Sequence, residues 1–386
     1  MPAPIPFNRS SIIGDEMRHI HDALAIGQVA GDQTFSRRCQ GVLEAVTGSG
    51  KALLTTSCTH ALEMTALLLR IGEGDEVIIP DFTFVSTANA FALRGAKPVF
   101  CDVRPDTFNI DERLIEALIT PRTKAIVPVH YAGVGCEMEA ILDIAARHGL
   151  AVVEDNAHGL FGRYKGRPLG SFGALATQSF HETKNITCGE GGALLVNDMS
   201  LVARAEILRE KGTDRARFFR GEVDKYSWVD LGSSYVMSDV LAAFLFGQLE
   251  RWEEVQARRR TIWERYDQAL GEWADLAGIR RPIVPGHCDQ AWHMYHLLMP
   301  SLQDRTDFIA HLAAQDIKAV FHYLPLHLSE YAARWGGRPG DHPVSEDVSD
   351  RLVRLPFYTS LSEEDQGRVI DAVVRFRPGL AGSAHR

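Results

Sequence analysis

Lys184 stands in the string SFHETKN, directly after an apolar run ending at Phe180 and before the glycine-rich CGEGG of Cys188–Gly192. The chain has eight lysines (Lys51, Lys97, Lys124, Lys165, Lys184, Lys211, Lys225, Lys318), and most of the others sit beside Gly, Asp, Glu or Arg in turns or on polar helix faces. A lysine at a strand end, next to backbone that can pass close to a ligand, suits a buried reactive amine. A second group is VVEDNAH, Val152–His158, which sets Glu154 and Asp155 at the carboxyl end of a strongly apolar strand. Ligands of open α/β sheets bind beyond such ends. A third is TTSCTHALEM, Thr55–Met64, which reads as strand, hydroxyl-rich turn and helix. The free N–H groups and positive dipole end of that helix can hold a phosphate, with Ser57 and Thr59 adding hydroxyls. Phe84, in PDFTFVSTAN after another strand end, offers an aromatic ring.

Each feature has a plain structural alternative. Lys184 also fits a surface loop, Asp155 a turn, Ser57 a helix cap and Phe84 the core. Their joint occurrence, in the chain order helix, aromatic, aspartate, lysine, meets the needs of pyridoxal phosphate (PLP). That cofactor requires an amine for its aldehyde, a carboxylate to keep its pyridine nitrogen protonated, and a phosphate anchor.

The elements that must position these groups alternate through the first two-thirds of the chain. Strands are predicted at Ala52–Thr56, Glu76–Pro80, Lys97–Val103, Lys124–His130, Leu150–Asp155, Ala174–Phe180 and Gly192–Asn197. Helices are predicted at Thr59–Leu69, Thr87–Leu93, Asp111–Ile119 and Met138–His148. This rhythm implies an α/β fold with a mostly parallel sheet covered on both faces. One long helix is expected over Ser238–Arg259, with Gln248 interrupting its apolar stripe and leaving it only partly buried. A boundary near residue 250 then divides a large lobe, 1–250, from a small C-terminal α+β lobe, 251–376. The small lobe has strands near His293–Met299 and Lys318–Tyr323 and helices at Arg305–Gln315 and Glu363–Phe376. Residues 377–386, rich in Pro, Gly, Ser and Ala, are expected to be disordered.

Composition narrows the function classes. Charged residues make up 24% and the net charge is −9, so no basic surface points to nucleic acid or anionic lipid. An anionic substrate therefore needs a local positive site. No run of 18 apolar residues occurs, and Met1–Ser11 has prolines but no apolar core region, so neither a membrane span nor a secretory signal is expected. Six cysteines without C-x-x-C spacing read as reduced thiols of a cytoplasmic enzyme. His293 and His296 lie at i, i+3 but without a carboxylate or thiolate motif, and no metal is expected. GSGKAL at Gly48–Leu53 is not a P-loop: the motif needs Gly at 45 and Ser or Thr at 52, where the chain has Ala45 and Ala52. GEGGAL at Gly189–Leu194 lacks dinucleotide spacing.

The strings GDEVIIPDFTFVSTANAFALRGAKPVFCDV, VVEDNAHG, SFHETKNITCGEGGALLVND and FHYLPLH resemble the DegT/DnrJ/EryC1/StrS family of nucleotide-sugar aminotransferases, of PLP fold-type I, over residues 5–376. SFHETKN together with REKGTDRARFFRGEVDKYSWVDLGSSYVMSD is similar to a narrower group, which aminates dTDP-4-keto-6-deoxyglucose to dTDP-4-amino-4,6-dideoxygalactose. The resemblance implies that Lys184 condenses with the cofactor, that Asp155 pairs with its pyridine nitrogen and that Phe84 stacks on its ring. It further implies that Thr59 and the backbone at Cys58 and His60 hold the phosphate with help from Ser179, and that His158 lies near the ring hydroxyl. Ser234 matches a position where many relatives carry an Asn that reaches the partner subunit's phosphate. A homodimer with shared active sites and L-glutamate as donor follow by the same resemblance. Tyr226, Trp228, Arg220 and His322 are candidates for sugar-nucleotide contact. Other readings remain beside this one: amination at carbon 3 or of another nucleotide sugar, a sugar dehydratase (whose relatives carry His in place of the lysine), and a PLP-binding sensor without catalysis.

Overall fold

The computed structural model describes residues 3–27 and 29–379; residues 380–386 of the tail expected to be disordered lie outside the described residues. Five strands come first: β1 (Lys51–Thr55), β2 (Glu76–Pro80), β3 (Lys97–Cys101), β4 (Thr123–Ile126) and β5 (Ala151–Asp155). A short hairpin, β6 (Arg163–Tyr164) and β7 (Arg167–Pro168), precedes β8 (Leu175–Ser179) and β9 (Gly192–Val196). The large sheet has seven strands in the order β1-β9-β8-β5-β4-β2-β3. Neighbours from β8 through to β3 run parallel, whereas β9 is antiparallel to both β8 and β1. The sheet is mostly parallel, as the βα rhythm predicts.

The exception at β9 matters for chemistry. No helix separates β8 from β9, so the chain turns back at the same edge of the sheet through residues 180–191. Phe180 N donates to Gly191 O at 2.8 Å and Cys188 N to Phe180 O at 3.0 Å, closing that loop. Lys184 is thereby kept at the carboxyl edge of the parallel strands. Gly192, the first residue of β9, lies so close to the segment that follows β1 that a Cβ there would come within 2.3 Å of Cys58 N. Only glycine permits that approach.

Helices cover both faces. The opening segment folds as α1 (Glu16–Ile26) and α2 (Thr34–Thr47); α3 (Cys58–Leu68), α4 (Val85–Ala92), α5 (Glu112–Ile115), α6 (Met138–His148), α7 (Val202–Arg209) and α8 (Arg215–Phe219) follow. Side-chain alternation along the strands sorts the core. Leu53, Val77, Ile79, Val153 and Leu194 pack with Leu62, Phe91 and Leu208 from α3, α4 and α7. Ala52, Leu54, Ala176 and Leu195 face the other way, onto Phe35, Leu43 and neighbouring helices.

The single helix expected over 238–259 is two, α9 (Asp239–Leu249) and α10 (Trp252–Leu276). The segment is only partly buried, as expected, but the interruption read at Gln248 is corrected. Gln248 is buried, and its amide donates to Ser11 O at 2.9 Å and to Glu16, so a polar side chain in the stripe is satisfied inside the core. The break falls where the mostly buried α9 gives way to an amphipathic helix bound for a second core. There α10 packs with α11 (Leu302–Ala313), α12 (Pro343–Arg351) lies nearby, and α13 (Glu363–Arg375) closes the group. Strand β10 (Cys288–Asp289) joins the hairpin, while β11 (His296–Leu298), β12 (Val320–Phe321) and β13 (Leu352–Arg354) form a second antiparallel sheet with β13 central. Tyr266, Tyr295, Leu297, Phe308, Val353 and Val369 fill this core, together with Ile5 from the start of the chain. Ile5 pairs with the backbone around Ile317, so the first residues, placed in the large lobe by the sequence reading, pack on the smaller sheet.

The alternation at the end of β5 separates Glu154 from Asp155. Glu154 is fully enclosed: its carboxylate accepts the N–H groups of Gly170, Phe172 and Gly173 at 2.6–2.8 Å and pairs with His130 Nε2 at 2.9 Å. It staples the loop between β7 and β8 to the sheet. Glu154→Ala leaves those buried donors without an acceptor and is expected to lower unfolding free energy by roughly 3 kcal/mol. Urea denaturation monitored by circular dichroism checks this, and a change under about 1 kcal/mol would contradict the staple.

Candidate active site

A cavity of about 950 Å³ opens beyond the carboxyl ends of β2, β5 and β8, where the second sheet's loops overhang them. Its wall holds Lys184, Asp155, Cys58, Thr59, Phe84, His158, Ser179 and His322, all singled out from the sequence. The structure therefore brings most of the expected site together from segments far apart in the chain.

Lys184 borders the cavity and is half-buried. Its ammonium is otherwise enclosed, and desolvation lowers its pKa to about 8, against the opposing pull of the neighbouring Asp155. Its loop is held from behind. The adjacent Asn185 donates to Ala291 O, and its Oδ1 meets His293 Nδ1 at 2.9 Å.

Asp155 is 5% exposed. Thr87 Oγ1 donates to Oδ2 at 2.8 Å and Ala157 N to Oδ1 at 3.2 Å. Burial raises its pKa, and those two bonds together with Lys184 and His130 pull it back down. No cation pairs with this carboxylate at ion-pair distance among the described residues. A buried anion in that state is stabilised by a positive group placed in the cavity, as a protonated pyridine nitrogen would be.

The start of α3 forms the anion-binding corner. Ser57 caps the helix, its Oγ accepting from His60 N at 3.1 Å. That bond occupies the His60 N–H expected to hold phosphate, and the His60 ring turns to Thr56 Oγ1, away from the cavity wall. Cys58 and Thr59 occupy the first turn, where helix geometry provides no acceptor for the N–H groups. Thr59 Oγ1 lies 2.8 Å from Ser86 Oγ, bringing hydroxyls from α3 and α4 together at one point. Burial pushes the Cys58 thiol up to about 12, so it stays neutral and does not repel an anion. Ser179, at the end of β8, lines the same wall.

Phe84 is 56% exposed although apolar, because its ring faces the cavity rather than the core. His158 lies opposite, buried and stacked on His293 with ring centroids 4.2 Å apart. Burial first, then the charges of Lys184 and Arg354, hold its pKa far below the ordinary range, so the imidazole is neutral. His158 Nδ1 has no hydrogen-bond partner among the described residues and can meet a hydroxyl. Enclosed Lys184, unpaired Asp155, the unspent N–H groups of α3 and this nitrogen all fit PLP.

Other expected contacts lie elsewhere. Ser234 borders a second cleft of about 1030 Å³ with Lys211, Arg215 and Arg220. Arg220 is engaged with Glu206 and Glu222. Tyr226 and Trp228 are exposed and line neither cleft. Sequence reasoning missed Thr87, His293, Tyr323, Arg354 and the segment Pro6–Ser10, which all line the main cavity. Thr87 was findable, since it opens the helix expected three residues after Phe84. Arg354 carries no local signal.

This architecture and site define a PLP-dependent aminotransferase. The sequence matches the DegT/DnrJ/EryC1/StrS aminotransferase family over residues 11–374, and the chain belongs to that family. It is similar to the spore coat polysaccharide biosynthesis protein SpsC of Bacillus subtilis, 35% identical over 380 residues that cover 96% of each chain. Among solved structures it is similar to the aminotransferase TlmJ from Streptoalloteichus hindustanus, with a TM-score of 0.89, 30% identity, and coverage of 97% of this chain and 98% of that one. It is also similar to Spr1654 from Streptococcus pneumoniae in its PMP-form, with a TM-score of 0.89, 28% identity, and coverage of 96% and 98%. Spr1654 has been solved in a PLP-form too. Among the described residues no helix is long and apolar enough to cross a membrane.

The lowered pKa of Lys184 gives a pH prediction. The neutral amine attacks an aldehyde, and burial favours the neutral form, so PLP uptake by the cofactor-free protein should accelerate through pH 8 and level off above it. Stopped-flow absorbance checks this; a midpoint near the ordinary lysine value of 10.5 would place the amine in bulk water.

Proposed function

We propose that this aminotransferase moves the amino group of L-glutamate to carbon 4 of a dTDP-4-keto-6-deoxyhexose, giving dTDP-4-amino-4,6-dideoxygalactose and 2-oxoglutarate. The observation that carries the transaminase chemistry is the shared cavity of Lys184 and Asp155. The finer substrate reading is supported by SFHETKN and the 209–239 string, and by the polysaccharide role in the name of SpsC. The cavity also has room for a cofactor and a sugar nucleotide.

Bound PLP supplies an aldehyde that carries the amino group and a ring that accepts electrons. Lys184 Nζ would hold that aldehyde, and its amine, when free, would move the proton at the donor's α-carbon as general base and acid. Asp155 would keep the pyridine nitrogen protonated, with Phe84 available to the ring and His158 to its hydroxyl. Cys58 and Thr59 hold the phosphate through backbone and hydroxyl, with Ser179 assisting. The amination of the keto sugar uses the same groups in reverse order.

The enzyme acts in the cytoplasm as a homodimer in which Ser234 serves the partner's phosphate. Apolar side chains left in solvent on α1 and the 218–231 segment, including Met17, Leu24, Phe219 and the 76% exposed Trp228, support a covered face there. The large lobe ends near residue 250.

Lys184→Ala should fold yet lack the visible absorbance band of lysine-bound cofactor and all turnover; transaminase activity in that variant would overturn the lysine's role. Asp155→Ala should retain some cofactor and lose at least about a hundredfold in turnover, since ring protonation rather than anchoring is its task. Incubation with L-glutamate and a panel of 4-keto and 3-keto nucleotide sugars, with NMR of the products, tests the substrate. Amination at carbon 3, or of a different nucleotide sugar alone, would refute the carbon-4 assignment.

A further inference from the structure

Away from the main cavity, Asp81, His327 and His342 meet where the loops of the second core reach the end of β2. One possible ligand atom from each lies within 4.8 Å of the other two. Asp81 and His327 are fully buried and His342, just before α12, is half-buried; the two imidazoles meet edge to face with centroids 4.6 Å apart. The His327 ring has a carboxylate at both ends. Nδ1 lies 2.6 Å from Asp81 Oδ2, and Nε2 lies 3.2 Å from Glu346 Oε1 at an angle that makes no hydrogen bond. A neutral imidazole has one N–H for these two neighbours, so one carboxylate faces a bare lone pair. Among the described residues no lysine or arginine lies at ion-pair distance from Asp81 or Glu346. Negative charge left in that state, with Asp81 wholly out of water, is costly until a cation joins it.

We propose that Asp81, His327 and His342 bind one divalent transition-metal ion of the zinc type. Two imidazoles and a carboxylate suit Zn2+, whereas Mg2+ and Ca2+ take oxygen ligands. Tetrahedral zinc sets its ligand atoms about 3.4 Å apart, so side-chain adjustments on the order of 1 Å close the site. Whichever ring nitrogen of His327 takes the ion, the other keeps its proton for the carboxylate beside it, the arrangement that orients metal-bound imidazoles. Glu346 or water fills the fourth position. The expectation of no metal rests on local spacing, which is blind to ligands such as Asp81 and His327, 246 positions apart. The ion's role is structural, since none of its three ligands lines the main cavity. It clamps β2 to the second core at a seam where Asp102, after β3, already accepts the N–H groups of Val344 and Ser345 in α12.

The test uses the PLP-loaded protein after dialysis against a chelator, with Zn2+ as the probe. Calorimetric titration near neutral pH gives the affinity, and elemental analysis after dialysis counts the bound metal. One Zn2+ per chain should bind with a Kd below about 1 µM. At a hundredfold excess over Kd it should raise the thermal midpoint by on the order of 3 °C and leave the visible cofactor band unchanged. His342→Gln and His342→Ala should each bind Zn2+ at least about tenfold more weakly and lose the midpoint shift. The His342 side chain makes no capping bond to α12, so both variants should fold; if circular dichroism shows that His342→Ala does not, His342→Gln carries the comparison. His21→Ala, which removes an exposed imidazole, should match the unaltered protein. Absence of Zn2+ uptake overturns the proposal and leaves His327 as an imidazolium between its two carboxylates. Unaltered affinity in the His342 variants, or a cofactor band that disappears with the metal, overturns it as well.

Discussion

A carboxylate held out of water without a cation is unfavourable, and the fold tolerates one at Asp155 because the cavity is built for a positive partner. Thr87 and the Ala157 N–H offset part of the desolvation. Lys184 faces the same low-dielectric space with the opposite sign and the opposite shift. Each group is mismatched to its surroundings in a way that a bound pyridinium aldehyde relieves, and that complementarity links the rest of the architecture to function.

Sheet topology maintains the pair. Parallel strands place their carboxyl ends at one edge, which brings Asp155, Phe84 and the start of α3 together. The antiparallel return through β9 keeps Lys184 at that edge instead of carrying it across a helix to the far side. Gly192 allows that return to run against Cys58, so one glycine serves both the lysine loop and the phosphate corner. The overhanging loops come from the second core. His327 and the buried Asp81 join in a 2.6 Å bond at the end of β2, which ties the stretch holding His322 and Tyr323 over the cavity.

The sequence was most legible where periodicity and chemistry coincide. Helix 138–148 and strand 76–80 fall where hydrophobic period and turn residues put them. Local reading failed where a polar side chain is satisfied inside the core. Gln248 looks like a break in an apolar face, yet its partners on the opening segment make it a core residue. His60 looks like a phosphate contact, yet the Ser57 cap takes its N–H.

By itself, the sequence determined which residues could react and on which strand ends they stand, because strand alternation and helix starts are encoded by near neighbours. Tertiary structure decided that Glu154 is a staple while Asp155 faces the cavity, that His158 rests on His293, and that Arg354 stands in the wall with no ion-pair partner among the described residues. Those outcomes depend on segments far apart in the chain packing side by side, and burial, which sets charge state and hydrogen-bond partners, exists only once they have done so.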